Sequence, residues 1–361
     1  MLYKLHFNTF QAQSKKAPSN NISHNNLLCI LNRSKEIYLN TLKKMAGPYM
    51  SKIASVGGRP TIPLDVPICA VFLALFIAGA ACHMTLLRRN LARGHKFIPS
   101  GVTFGFCMSR IVANIMRIAW ACHPTNARIA IAAQIFVAAG VLLLFILNLL
   151  YVQRMFRSVY PVVGWFRPLS LAFKALYALV VVTIIMVITC VVQSSYTLNP
   201  NTLRIDRDIQ LYGQTYFAII SFLPLPLLLS ILLSPNRKQI QQVGSGSAVA
   251  KVFIVGLVGS LLCLGASFRA GTSWMPPRPI TDPAWYHSKA CFYIFNFTID
   301  ISVVAIFFVG RVDQRFWVPN GSSKVRHYRR DENGSPLAAH DERDIESDSS
   351  TLSQELGEET K

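Results

Sequence analysis

A chain of 361 residues that is 52% hydrophobic, with a mean hydropathy of +0.37, is too apolar for a soluble globule. Its formal net charge of +19 is uneven, because residues 1–330 hold 34 Lys and Arg against 7 Asp and Glu, whereas 331–361 hold 2 bases and 10 acids. Basic residues gathered in short connections between apolar runs are the mark of membrane topology and anionic headgroups, and no nucleic-acid motif accompanies them, so nucleic acid is not an expected partner.

The first 62 residues form a polar N-terminal segment. Residues 1–44 are irregular and scattered with Asn and Lys, and MAGPYMSKIASVGGRPTIPLDVP reads as a more natural beginning, so Met45 is expected as the initiator and 1–44 as untranslated. No signal-peptide pattern precedes the first apolar run, so that run must itself direct insertion. Stretches long enough to cross a bilayer, about 20 apolar residues each, follow at roughly 64–87, 102–122, 128–152, 169–192, 213–233, 249–268 and 288–312. The expected fold is therefore an all-α polytopic membrane protein, a bundle of seven transmembrane helices over residues 63–312, in contact with the lipid bilayer.

The second run, FGFCMSRIVANIMRIAWACHPTN, carries Arg110, Asn114 and Arg117, four and three residues apart and hence on one helix face. An arginine deep in lipid costs roughly 2.5–3.5 kcal/mol, so this face must turn into the bundle. The one acid near mid-membrane is Asp300 in the seventh run, offset in depth from Arg110 by about 3 Å at 1.5 Å per residue. Arg110 and Asp300 are expected to form a structural ion pair that fixes helix packing, which leaves Arg117 without an evident acid. Arg117, Trp120, Gln134 and Arg269 are then the candidate ligand-binding residues, lining an outward cavity among helices two, three, six and seven that suits a small amphipathic or anionic ligand.

In the fifth run, SFLPLPLLLS puts Pro224 and Pro226 near mid-membrane, and a kink is expected there. On the outer side, the connections bearing Arg204, Asp206, Arg207 and Asp208, and Arg269, Trp274, Asp282, Trp285 and His287, are placed to roof a pocket or to form the usual interfacial belt. Of the eight cysteines, none sits in a CxxC, and burial as small hydrophobes is expected, a Cys122–Cys291 bond remaining the alternative. Histidines do not gather with metal-ligand spacing, and no GxSxG, HExxH or phosphate loop is present, so neither an enzyme nor a cofactor or metal is expected. Residues 313–361 become Gly-, Ser- and charge-rich and are expected to be a disordered tail, with KVRHYRR against anionic lipid and Ser347, Ser349, Ser350, Thr351 and Ser353 open to phosphorylation.

Charge fixes the expected orientation. One set of flanks and loops holds eight Lys and Arg (Lys52, Arg59, Arg128, Arg204, Arg207, Arg269, Arg278 and Lys289); the other, including Arg88, Arg89, Arg93, Arg154, Arg157 and Arg315, holds sixteen. By the positive-inside rule the N-terminus is outside and the tail cytosolic.

The stretches LARGHKF, GFCMSRI, RIAWACHPTN, TLNPNTLRIDRDIQLYGQT, GASFRAGT and DPAWYHSKACFYIFNFT, taken together, resemble a family of filamentous-fungal seven-helix membrane proteins often labelled family C-like G-protein-coupled receptors, over roughly residues 45–323. The resemblance implies a plasma-membrane, receptor-like sensor of a small extracellular ligand, with a cytosolic G protein or kinase engaging the loops and tail. It supplies no functional residues. A lipid or small-molecule transporter, or a membrane scaffold without ligand, are the other readings these residues allow.

Overall fold

The structure, a computed structural model, describes residues 47–234, 243–318 and 328. The proposed initiator, Arg237 and Lys238, and the phosphorylatable tail serines lie outside the described residues. Seven helices are long and apolar enough to span a bilayer: α1 (Ile62–Ala92), α2 (Ile98–Cys122), α3 (Ala127–Val159), α4 (Arg167–Tyr196), α5 (Pro200–Leu232), α6 (Ala248–Trp274) and α7 (Lys289–Val309). A short helix, α8 (Val312–Arg315), follows the last span.

Local chemistry sets where these helices begin. Proline lies in the first turn of α1, α2, α4 and α5, where its missing N–H would be unsatisfied in any case. Asn126, Ser247 and Ser288 cap α3, α6 and α7 by accepting main-chain N–H groups of the first turn. Asp65 caps α1 from inside, accepting from Thr61 N at 2.8 Å and Thr61 Oγ1 at 3.2 Å.

Each helix packs on its sequence neighbours, α7 closes back onto α1, and α3 runs through the middle, touching α2, α4, α5 and α6. Consistent with that place, the second half of α3 is buried on most of its surface, including Leu144, Phe145, Leu147, Asn148, Leu149, Tyr151 and Val152. Outward faces carry Val71, Leu75, Ile77, Val181, Val182, Ile185, Ile219, Phe222, Phe253 and Leu264, all exposed. Such a continuous apolar exterior has no stable partner but lipid, and the protein is a multi-pass integral membrane protein.

Three spans depart from regular helix. In α5 the helical run breaks at Leu223, directly before Pro224, at the expected kink. In α3 it breaks at Val141, after Gly140, with no proline to announce it. In α7, Ile294–Thr298 form a π turn, a local widening that recurs at functional sites. Over the end of the bundle where α1 begins, the segment before α1 hydrogen-bonds across the connections: Ala54 N donates to Arg278 O, Ile280 N to Lys52 O and Gly57 N to His287 O. Here this is termed the Asp65 end.

Candidate functional site

The polar face of α2 does turn inward: Arg110 and Asn114 are wholly buried and Arg117 is 3% exposed. Seven residues of helix separate the two guanidinium groups' Cα atoms by about 10 Å. Each arginine anchors its own cluster.

Near the Asp65 end, Arg117 meets an acid that the sequence reading did not assign to it. Asp65 Oδ1 accepts from Arg117 Nη2 at 2.8 Å, Arg117 Nε at 3.2 Å and the Tyr293 hydroxyl at 2.7 Å. Its other oxygen accepts from Thr61 N, Thr61 Oγ1 and, at 2.5 Å, Lys289 Nζ. Arg117 Nη2 also donates to Gly57 O at 3.0 Å, and its guanidinium carbon lies 4.0 Å from the Phe292 ring centre. The expectation of an unpartnered Arg117 is thus corrected: it is tied to α1, to α7 and to the loop before α1. Gly57 is needed for that, since its φ is +82° and a Cβ there would fall 2.5 Å from the Phe292 ring.

Deeper in the bundle, Arg110 Nη2 lies 2.5 Å from Asp300 Oδ2, both side chains being buried to 1% or less. Asp300 Oδ1 and Arg110 Nε have no hydrogen-bond partner among the described residues. Arg110 Nη1 donates to Val137 O at 2.8 Å, in the last turn of α3 before its break. Gly140 packs beside it: a Cβ there would lie 3.4 Å from the guanidinium carbon, an ordinary contact, and 3.0 Å from Ser109 Oγ.

A third charge joins them. Arg269 of α6 is half-buried, and its Nη1 makes one long hydrogen bond, 3.4 Å, to Asn296 Oδ1 in the π turn of α7. Its guanidinium carbon sits 6.0 Å from the ring of buried Phe145, and its charge acts on both Asp300 and Arg110. Asn296 Nδ2 donates to Phe292 O, and Asn114 Nδ2 to Arg110 O, leaving Asn114 Oδ1 without a partner among the described residues. Ring contacts between Phe292 and Phe297 and between Phe72 and Phe297, each 5.5 Å, connect the two clusters with apolar packing.

The four residues expected to line one cavity are thereby separated. Arg117 belongs to the Asp65 cluster and Arg269 to the Asp300 cluster. Trp120 is buried against Ala130 and Ala133, with Met50, Met116 and Ile129 around them. Gln134 is exposed, because Ala130 and Ala133 supply the inward face of α3 and the next position is rotated about 100° away from it. Asp65, Lys289, Tyr293, Asn114 and Asn296 were not among the candidates. Cys122 and Cys291 are both free thiols.

The remaining polar groups are scattered. At the opposite end, Asn90 Nδ2 donates to Asp313 Oδ2 at 3.1 Å, and His83 Nε2 faces Val304 O at 3.3 Å. Among the described residues no three His, Cys, Asp or Glu gather to hold a metal ion. Outside the spans, burial and, secondarily, the nearby Arg278 charge push the His287 imidazole below its ordinary value, so that it stays neutral and its Nδ1 accepts from Ala284 N at 3.1 Å.

Chemically, the Asp65 cluster is saturated, whereas the Asp300 cluster combines an excess of positive charge with unused donors and acceptors. Comparison with known proteins reaches parts of both clusters, since it covers Lys289 and Tyr293 as well as Arg269, Asn296 and Asp300. No curated protein and no solved structure matches the chain. A family model described as a protein of unknown function (DUF3112) matches residues 239–317, a stretch that holds α6 and α7 and with them Arg269, Asn296 and Asp300.

Proposed function

We propose that the protein is a plasma-membrane sensor of a small extracellular ligand, receptor-like in action, with the Asp65 end outside and the Asp313 end in the cytosol. The observation that carries this reading is the Asp300 cluster: three charges and two amides from α2, α6 and α7, incompletely satisfied and centred on a π turn. A ligand that completes those hydrogen bonds changes the balance between the widened and regular forms of α7, and α7 leads directly to Asp313 and α8 at the cytosolic end. A G protein or kinase reading that end is the partner this mechanism requires. The charge count of the connections supports the orientation, and the sequence resemblance supports the receptor class.

The test is deletion in the source organism followed by a screen of ligand-evoked second messengers, with Arg269→Gln and Asn296→Ala reintroduced. Loss of an evoked response on deletion, not restored by either variant, is the expected result; a response indifferent to deletion sinks the reading.

Transport is the second reading, and one observation favours it. Asn148 on α3 is 1% exposed with neither amide atom partnered among the described residues. Its Nδ2 lies 3.1 Å from where a Cβ on Gly259 would be, and Leu225, in the proline kink of α5, packs at the same glycine. Broken helices and unsatisfied polar groups at mid-depth are what a translocation path uses. Uptake and efflux of labelled lipids and small solutes in the same deletion strain separate the two.

A further inference from the structure

We infer that the Asp300 cluster is a binding site for one small monovalent anion, a halide or a short carboxylate, held chiefly by Arg269; this rests on the cluster being the ligand site proposed above. Charge is the first argument. Arg110 and Arg269 bring two positive charges, and Asp300 brings one negative charge, into a region walled by Phe106, Phe145 and Phe297, all buried to 1% or less. An arginine stays protonated under all relevant conditions, so the excess cannot be relieved by losing a proton. Among the described residues no carboxylate lies within ion-pair distance of Arg269.

Hydrogen-bond accounting gives the same answer. Among the described residues Arg269 spends one of its five donors, on a long bond to Asn296, and buried Arg110 Nε has no acceptor. Donors are therefore in surplus where charge is also in surplus, and the missing group is an anionic acceptor. Valence follows from the sum: a single negative charge neutralises the cluster, whereas a divalent anion would leave a net negative charge in the same apolar surroundings. A water carried in with the carboxylate or halide would offer the donors that Asp300 Oδ1 and Asn114 Oδ1 lack among the described residues.

The contrast with Lys289 argues against a general attraction for salt. Lys289 and Arg117 likewise outnumber Asp65, but both are ion-paired to it, at 2.5 and 2.8 Å, whereas among the described residues Arg269 has no carboxylate within ion-pair distance.

The experiment uses the full chain purified in neutral detergent, in gluconate at constant ionic strength, with chloride or formate substituted stepwise and the melting midpoint recorded. The wild-type midpoint should rise saturably with at least one of the two ions, and which ion acts identifies the source class. Arg269→Gln should move half-saturation to about tenfold higher concentration or beyond, as expected for losing a charge-assisted hydrogen bond. Asp300→Asn, where it folds, should tighten binding; Arg278→Gln, in an exposed pair away from the cluster, should leave the titration unchanged. A rise that is linear and equal in wild type and Arg269→Gln is a bulk salt effect and overturns the inference, as does a saturable rise that Arg269→Gln does not shift. Saturable binding in a protein whose deletion strain shows no lost response would refute only the sensor reading, and a flat titration beside an intact cellular response would refute only the anion.

Discussion

The two arginines of α2 occupy the same helix face and solve the same problem in opposite ways. Arg117 and its acid use nearly all their hydrogen-bonding capacity: Asp65 receives three donors on each oxygen, and the bonds reach α1, α2, α7 and the segment before α1. Arg110 and Asp300 touch, yet among the described residues each keeps a buried atom without a partner. A saturated charge cluster fixes helices in place, and a partly satisfied one is poised to respond to an added group. On the sensor reading proposed above, the difference gives architecture to the Asp65 end and ligand response to the Asp300 cluster.

The largest effect that would break this division comes from Asp65→Asn. Removing the charge strands two cations, Arg117 in a nearly closed environment and Lys289 partly in water. A buried charge left without its partner costs roughly 3–5 kcal/mol, and the exposed share of Lys289 adds little. Detergent melting and expression level should both fall sharply. Arg117→Gln should hurt less, because Asp65 keeps Lys289, Tyr293 and Thr61. Equal loss in the two variants would mean that Asp65 is not the hub.

Next in size is the coupling of Arg110 to Asp300. Arg110→Gln and Asp300→Asn should each destabilise by up to about 3 kcal/mol, while the double variant should fall well short of their sum, since an uncharged pair of similar shape is close to neutral. Additive losses would show that the two residues are uncoupled, and that Val137 O rather than Asp300 holds Arg110.

Much of this was open to sequence reasoning, and the reasons for the rest are specific. Seven spans, the inward face of α2 and the kink before Pro224 follow from hydropathy, helical spacing and a missing N–H. Asp65 went unassigned because it sits in the first turn of α1, where an acid is ordinary as a complement to the helix dipole. Its depth nonetheless matches Arg117, which lies five residues before the end of α2, and pairing helix ends across an up-down connection would have found it. Gln134 was placed on the wrong side of α3 because nearly every position of ARIAIAAQIFVAAG is apolar, so no moment fixes the facing. The break at Val141 follows Gly140 but no proline, and the π turn of α7 has neither; both lie where Arg110 and Arg269 engage a neighbouring helix.

Glycine substitutions sharpen the comparison at smaller cost, because each cluster has one glycine packed beside it. Gly57→Ala forces a left-handed backbone on alanine and meets the Phe292 ring, so a loss of about 2 kcal/mol or more is expected. Gly140→Ala only crowds Ser109 Oγ at 3.0 Å and the Arg110 guanidinium at 3.4 Å, and about 1 kcal/mol should suffice to displace them. Melting measures both. If the anion inference holds, Gly140→Ala should also alter the chloride or formate titration, and Gly57→Ala should not.

The smallest effect is one of pH, and it belongs to the Asp65 end alone. His287 sits in the turn whose carbonyl oxygen accepts from Gly57 N, and Gly57 O in turn accepts from Arg117. Burial and the Arg278 charge lower the affinity of His287 for a proton in the folded protein. The unfolded chain takes up that proton near the ordinary histidine value of about 6.5. The folded state therefore binds fewer protons, and the contribution of neutral His287 to stability is full above that value and shrinks as pH falls toward the lowered folded value. Protonation also removes the acceptor that Ala284 N uses, loosening the turn that presents His287 O to Gly57. Because the ring is partly exposed, the change should amount to about 1–2 °C in melting midpoint between pH 7.5 and 5.5. His287→Gln should remove that difference while leaving the anion titration of the Asp300 cluster as it was; an undiminished pH dependence in the variant would place the titrating group elsewhere.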